Sequence, residues 1–273
     1  MKNESFFTFY FNSITSTVCD MQGYIMRNIR LKITYEGTRY QGWQKQETSD
    51  NTIQGKFETL LSRMCGEEIT IQGSGRTDAG VHALGQIANF HTHSTMTTEE
   101  MLIYMNQYLP EDIAVVEVSE VPERFHSRLN AKGKRYTYRV WNCSIPNVFY
   151  RKYAHMVPEQ LDLEAMRKAT FHLLGEHDFK AFTSTKKGKK STVRRIDRIT
   201  IEKEGDLLTF TFEGNGFLYH MIRILVGTLL EVGMGERKAE GIPEILQAKN
   251  RELAGKLVPG KGLILEEVYY DTK

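Results

Sequence analysis

Cysteine is scarce in this sequence, and the pattern of the few cysteines excludes two kinds of site. The 273 residues contain three cysteines, an odd number, at the widely spaced positions Cys19, Cys65 and Cys143. Because there is no Cys-x-x-Cys pair and no Cys/His cluster with the spacing of metal ligands, neither a zinc site nor a disulfide framework is predicted. Reduced thiols are the simplest interpretation, and they indicate a cytoplasmic location.

The sequence also lacks an apolar run of membrane length and a strong net charge. Its most apolar stretch, residues 217–232, is shorter than the roughly 20 residues that a bilayer requires, and it contains His220, Arg223 and Glu231. We therefore expect no membrane partner. The content of 40% apolar and 26% charged residues is typical of a soluble globular protein, and a formal net charge of +2 does not by itself indicate nucleic acid.

Basic residues are nevertheless concentrated in two places. Between Lys186 and Arg198 seven basic residues stand against one acid, Asp197. The members that we assign to RNA-backbone contacts are Lys186, Lys187, Lys189, Lys190 and Arg194. A second basic set, which precedes and enters a tyrosine-rich strand, consists of Arg128, Lys132, Lys134, Arg135 and Arg139. Basic clusters interleaved with aromatic residues suit RNA, whereas a solvated charged face is the alternative for the lysine run.

Hydrophobic periodicity predicts an α+β fold in two halves. In the first half it predicts strands over 27–35, 69–72, 86–91 and 113–118, with helices over 53–64 and from Thr97 or Thr98 to a stop before Pro110. This β-α-β-β-α-β order is ferredoxin-like. In the second half the predicted elements are strands over 135–142, 196–203, 207–213 and 263–270, and helices over 162–173 (with Gly175 after its end) and 217–232. We expect two ferredoxin-like (RRM-like) halves whose antiparallel sheets flank a central RNA-binding cleft.

The predicted domain boundary lies near Asn130, which separates an N-terminal domain over 27–130 from a C-terminal domain over 131–273. Residues 1–26 differ in character, with crowded phenylalanines followed by Ser/Thr-rich sequence. A glutamate near the start, a very short apolar run and the lack of an A-x-A-like site argue against a signal peptide. We interpret 1–26 as a disordered or non-native extension upstream of a start at Met26, and assign it no function.

A glycine-rich loop over 73–83 is the best candidate for chemistry. Three glycines within eight residues indicate backbone that turns tightly or lies close to a ligand. The loop places Arg76, a candidate phosphate-binding residue, two residues before the carboxylate of Asp78. The alternatives are a turn-closing or helix-capping role for Asp78 and an ordinary surface position for Arg76.

Arg223 and Tyr136 are the next candidates. Arg223 lies in a helix so apolar that a buried guanidinium would need a carboxylate partner. If that partner is Asp78, the arginine holds the carboxylate in the ionised form that a nucleophile requires; another acid, or a side chain that extends to solvent, remains open. Tyr136 on the basic strand is suited to stack on an unpaired base, or it is a core residue like Tyr138.

The histidines carry weaker signals. His82, His126 and His220 have no neighbours in sequence that form a triad or a ligand set, so packing or RNA contact is expected of them rather than catalysis. Further acidic ligands with suitable spacing are also missing around Asp78, which disfavours a metal-dependent phosphoryl-transfer enzyme.

The loop Gly75-Arg76-Thr77-Asp78-Ala79-Gly80-Val81-His82-Ala83 resembles the active-site motif of the TruA-type tRNA pseudouridine synthases. The resemblance extends in order from Met26 to the C-terminus. Its other segments are 35–44, 125–128, 134–138, 175–179, 217–223 and 262–263. Val258 stands where the family usually has alanine before proline, which affects only the fine shape of the pocket, and residues 1–26 have no counterpart in the family.

The resemblance implies a function and a role for each matching residue. It implies that Asp78 is the nucleophile, that Arg76 helps to hold a flipped-out nucleotide and that Tyr136 stacks on the target base. It further implies that Arg223 pairs with the catalytic carboxylate and that Leu263 lines the base pocket. The family isomerises uridines at positions 38 to 40 of the tRNA anticodon stem-loop, without a cofactor, as a homodimer. A non-catalytic RNA-binding protein is the rival interpretation.

Overall fold

The computed structural model describes residues 26–185 and 191–271, which form an α+β structure built on one large sheet. The elements of the first half occur in the predicted β-α-β-β-α-β order. They are β1 (Arg27–Tyr35), α1 (Ile53–Cys65), β2 (Gln72–Gly73), β3 (His82–Thr92), α2 (Thr98–Tyr108) and β4 (Ile113–Val121). Strand β1 lies antiparallel between β3 and β4, and β2 adds to β3.

The second half contains the predicted hairpin and long helix together with elements that periodicity missed. They are β5 (Gly133–Trp141), β6 (His155–Met156), α3 (Leu163–Phe171), β7 (Gly175–Asp178), β8 (Val193–Glu204), β9 (Leu207–Gly214), α4 (Met221–Gly233), α5 (Ile242–Ala248) and β10 (Leu263–Tyr269). Strands β6 and β7 and helix α5 were not predicted, because segments of two to seven residues are too short to show a period.

The arrangement of the strands differs from the expected pair of separate sheets. One path of hydrogen-bonded strands runs β4-β1-β3-β10-β5-β9-β8-β7 through both halves. The last strand, β10, joins them, since it pairs in parallel with β3 and antiparallel with β5. This insertion satisfies backbone groups that two separate sheets would leave at exposed edges.

Two helix boundaries differ from the prediction for conformational reasons. Helix α4 begins at Met221 rather than at residue 217, because His220 adopts a left-handed conformation with φ of 64°. Helix α3 ends at Phe171 with His172 in right-handed geometry, so Gly175 does not cap it. Gly175 has φ of 91° and instead opens strand β7.

The core is continuous across the two halves, which follows from the single sheet. Side chains from both halves, including Phe57, Phe90, Tyr138 and Phe210, are fully buried in one cluster. Burying a side chain of this size contributes roughly 1.5–3 kcal/mol, so the core holds β3, β10 and β5 in a rigid relationship. The site described below lies at the ends of these strands.

Some sequence predictions fall outside the described residues. Lys186, Lys187, Lys189 and Lys190 lie in the undescribed segment 186–190, and all but the last residue of the 1–26 extension is likewise undescribed. Within the described part of the chain, no helix is long and apolar enough to cross a membrane.

Candidate active site

The carboxylate of Asp78 and the guanidinium of Arg223 form a hydrogen-bonded ion pair. Arg223, in the first turn of α4, donates from Nη1 to Asp78 Oδ2 at 2.9 Å and from Nε to the Val258 carbonyl at 2.7 Å. The side chain of Arg223 is 12% exposed and that of Asp78 is 18% exposed. The predicted pairing is therefore present, and the side chain of Arg223 does not extend to solvent.

The loop that carries Asp78 is held between two other segments. The Thr77 carbonyl accepts a hydrogen bond from the Trp43 amide at 3.0 Å. Gly42, at φ of 92°, approaches this loop so closely that an added Cβ would lie 2.5 Å from the Thr77 oxygen. On the other side, a Cβ on Gly260 would lie 2.6 Å from the Ala79 oxygen. Since the loop leads into strand β3, Asp78 does not cap a helix.

His82 connects the end of this loop to three segments of the fold. Its Nδ1 accepts a hydrogen bond from the Gly37 amide at 3.0 Å, so the ring proton is on Nε2. That nitrogen donates towards the carbonyls of Lys152, at 3.0 Å, and Lys261, at 3.1 Å. Burial lowers the pKa of His82, against the opposing effect of the Glu36 carboxylate. His82 is thus a neutral packing residue, as its sequence context indicated.

His220 lies beside the ion pair, which the sequence did not indicate. Its Nε2 is 3.6 Å from Asp78 Oδ2, and its Nδ1 is 2.9 Å from the Ser184 hydroxyl. Burial lowers the pKa of His220, Asp78 opposes this shift, and Arg223 reinforces it. The one available signal was its position three residues before Arg223, which places both side chains near the start of α4.

Tyr136 is on the same strand as Tyr138 and faces the Asp78 region. Its ring is almost fully buried and meets the ring of Phe217 edge to face, with centroids 5.5 Å apart. Burial raises the pKa of Tyr136, and the charge of Asp78 adds to this effect. Tyr138 is fully buried and its hydroxyl donates to the Pro259 carbonyl at 2.8 Å.

Leu263 and Arg76 occupy two further parts of the site region. Leu263 is buried at the start of β10, in register with Tyr138 of β5. Arg76 is exposed and lines a cleft of about 250 Å³ together with Trp43, His126 and Arg128. Among the residues that the structure describes, Arg76 forms no ion pair with a carboxylate.

Within residues 26–185 and 191–271, no group of three or more His, Cys, Asp and Glu side chains is arranged to hold a metal ion. The polar side chains around Asp78 are instead cationic or aromatic. An ionised carboxylate beside an arginine, in a glycine-rich loop next to an open cleft, is suited to nucleophilic or proton-transfer chemistry on a bound ligand.

Comparison with known proteins agrees with this geometry. A family model described as tRNA pseudouridine synthase matches residues 32–130 and 169–271, and so includes both Asp78 and Arg223. The chain belongs to this family. Three similar proteins are tRNA pseudouridine synthase A 2 of Bacillus anthracis (46% identical), tRNA pseudouridine synthase A of Bacillus sp. strain KSM-64 (48%) and tRNA pseudouridine synthase A of Acetivibrio thermocellus (44%).

Each of these three relatives is matched over its full length by 90% of the chain. The solved structure of a Cbf5-Nop10-Gar1 complex is similar over 74% of this chain and 45% of its own, with a TM-score of 0.34 and 13% identity, which is too low to add to the argument. Membership of the tRNA pseudouridine synthase family thus rests on the sequence matches.

Proposed function

We propose that this chain isomerises uridine to pseudouridine at positions 38, 39 and/or 40 of the tRNA anticodon stem-loop, with Asp78 as the nucleophile. The observation that carries the proposal is the Asp78–Arg223 pair, at 2.9 Å, within a chain of the tRNA pseudouridine synthase family. The pair is mostly buried, and Gly73, Gly75 and Arg76 of the loop that carries Asp78 line an open cleft, so the carboxylate is fixed in place on a segment that adjoins space for a ligand. We further propose a cytoplasmic homodimer in which residues 27–130 carry the catalytic loop and 131–273 the facing half.

The reaction requires one bond to break and another to form without a net change of atoms. The N1–C1′ glycosidic bond breaks, the uracil turns, and a C5–C1′ bond forms. C5 loses a proton, and N1, which carries none in uridine, gains one. Asp78 acts either by attack at C6 of the base or by removal of the C2′ proton to give a glycal. Both routes need the ionised carboxylate, which Arg223 stabilises through charge and a hydrogen bond.

The remaining predicted residues serve to hold the nucleotide outside its stack. Extruding a base costs a few kcal/mol, and stacking on an aromatic side chain contributes roughly 1–3 kcal/mol. In this proposal Tyr136 stacks on the uracil, Leu263 lines its pocket, and Arg76 binds the adjacent phosphate. Its exposed position on the cleft supports that role for Arg76. Because Tyr136 is covered by the ring of Phe217 from one side, we expect that ring to move when the base enters.

The deciding experiment maps pseudouridine in unmodified tRNA that has been incubated with the protein. The wild type should produce it at one or more of positions 38 to 40, and Asp78→Asn should produce none while its affinity for tRNA stays within about tenfold. Asp197→Asn is a matched control, since Asp197 pairs with Arg195 on an exposed strand. Full activity of Asp78→Asn would overturn the assignment of the nucleophile, and tRNA binding by an inactive wild type would favour a non-catalytic RNA-binding protein.

A further inference from the structure

Three cations lie close together beside the loop that carries Asp78. Lys134 of β5 donates from Nζ to the Ser74 carbonyl at 2.9 Å. It approaches the loop so closely that a Cβ on Gly75 would lie 2.5 Å from Nζ. The pKa of Lys134 falls to about 8 because of burial and the nearby charges of Arg128 and Arg194. We call Lys134, Arg128 and Arg194 the cation cluster.

The cation cluster has no counter-charge in the part of the chain that the structure describes. None of its three members forms an ion pair with a carboxylate there, and the charge that acts on Arg194 is that of Arg128. Their sequence neighbours behave differently: Arg135 pairs with Glu213 at 2.9 Å, and Arg195 pairs with Asp197 at 2.7 Å. Lys134 and Arg194 are partly buried and Arg128 is exposed. Like charges that lie close together repel one another, so a bound anion would relieve an unfavourable arrangement.

Space for an anion adjoins the cluster. Arg128 lines the cleft of about 250 Å³, together with Gly75, Arg76 and His126. Gly75 is the residue against which the Lys134 ammonium lies, so the cleft, the cluster and the loop meet at one point. Asp78 follows three residues later. An anion at this point is therefore close to the nucleotide that Asp78 is proposed to attack.

We propose that the cation cluster binds a backbone phosphate of the RNA substrate near the flipped nucleotide. The proposal rests on the proposed function for its ligand, an RNA phosphodiester. Two arginine guanidinium groups and a lysine ammonium can donate the hydrogen bonds that phosphate oxygens accept. The hydrogen bond to the Ser74 carbonyl fixes the position of the ammonium. A phosphate bound here lies in the cleft that Arg76 also lines, so the cluster and Arg76 hold the same stretch of the strand.

The first test measures the affinity for tRNA as a function of salt. Arg128→Gln and Arg194→Gln should each weaken binding by about tenfold at low salt, since a hydrogen bond to a charged group is lost. They should also reduce the slope of log affinity against log salt concentration. The slope should fall by somewhat less than one unit, because the remaining members of the cluster still contact the same phosphate. Arg135→Gln and Arg195→Gln are matched controls, because their side chains already pair with acids. The controls should keep the wild-type slope.

Lys134 needs a separate test because it also contacts the loop. Lys134→Arg retains the charge and should retain binding, whereas Lys134→Gln can still donate to the Ser74 carbonyl and should lose affinity without a loss of thermal stability. If Lys134→Gln binds as the wild type does, its role is only to support the loop, and the proposal is wrong for this residue.

Substitution of the phosphate itself makes the test specific. A set of anticodon stem-loop RNAs is prepared in which one phosphate at a time is replaced by an uncharged methylphosphonate. The wild-type protein should bind more weakly to the RNA that carries the replacement at one position beside the target uridine. Arg128→Gln should be insensitive at that position. Unchanged salt slopes in Arg128→Gln and Arg194→Gln, with an active wild type, would overturn this inference alone. An inactive wild type whose binding still depends on the cluster would overturn the proposed function instead.

Discussion

Arg223 Nη1 lies 2.9 Å from Asp78 Oδ2, although the two residues are 145 positions apart in the chain. The same guanidinium holds the Val258 carbonyl through Nε at 2.7 Å. Arg223 therefore joins the loop before β3 to the segment before β10, and a variant at this position tests both charge and geometry.

We expect Arg223→Lys to lower kcat by tenfold or more, because an ammonium cannot make both contacts in the planar geometry of a guanidinium. Arg223→Gln should lower it further and should reduce the free energy of unfolding by about 3 kcal/mol, since a largely buried carboxylate loses its partner. Single-turnover kinetics and urea unfolding measure the two effects. A wild-type rate for Arg223→Lys would show that only the charge matters.

Gly42→Ala should disrupt the loop that carries Asp78. The new Cβ would meet the Thr77 carbonyl oxygen at 2.5 Å, and φ of 92° adds strain for a residue with a side chain. Gly66→Ala is the matched control, because Gly66 has φ of 71° with nothing within 4 Å of the added Cβ. The control should lose about 1–2 kcal/mol of stability from strain alone. Gly42→Ala should lose more, together with activity, and equal losses in the two variants would contradict the close-contact argument.

Acidification should destabilise the protein through His82. Because burial sets the pKa of His82 below its ordinary value near 6.5, the unfolded chain binds the proton more readily than the folded one. Stability is thus fully present above about pH 6.5 and falls as the pH drops below that value. Protonation would also remove the acceptor for the Gly37 amide.

The pH effect is checked by measuring the free energy of unfolding of His82→Gln between pH 5 and 7. The variant should be less stable at pH 7 and less dependent on pH. His155 and His220, whose pKa values are also lowered by burial, should leave a residual slope. An unchanged slope in His82→Gln would assign the whole dependence to those two residues.

Two substitutions at His220 distinguish the effect of backbone strain from that of the side chain. At φ of 64°, His220→Gly should be more stable than His220→Ala by about 1 kcal/mol, because only alanine bears the left-handed strain. Both variants should lower kcat, since the imidazole that lies 3.6 Å from Asp78 Oδ2 is lost. Stability and kcat are measured on the same preparations. If both variants keep the wild-type kcat, His220 serves only to begin helix α4.

Much of the local structure was predictable from the sequence for physical reasons. Strand β1 has the period of two that is typical of a strand with one face turned to the core. Helix α1 begins at Ile53, the first residue of the predicted apolar spacing, and the Thr52 side chain accepts a hydrogen bond from the Gly55 amide. The apolar surroundings of Arg223 indicated a carboxylate partner, because a buried charge without one is costly. Asp78 stood out because its loop is rich in glycine.

Long-range placement could not be predicted from the same patterns. The position of β10 between β3 and β5, which makes one sheet out of two expected ones, depends on strand pairing that a period of two does not encode. The left-handed turn at His220 shortens α4 by one turn and brings the imidazole to Asp78. Apart from its position three residues before Arg223, no local pattern distinguishes this histidine from the two others considered.

The sequence by itself determined most of the longer helices and strands and singled out the candidate residues for chemistry, because periodicity, capping and the energy of a buried charge are local or pairwise properties. Only the tertiary structure decided what those residues face. It separated Arg135, which pairs with Glu213, from Lys134, which donates to the Ser74 carbonyl of the Asp78 loop and forms no ion pair with a carboxylate in the described part of the chain, although the two are adjacent in sequence. The physical reason is that neighbouring side chains on a strand point to opposite faces, and only the folded sheet determines which charges each face meets.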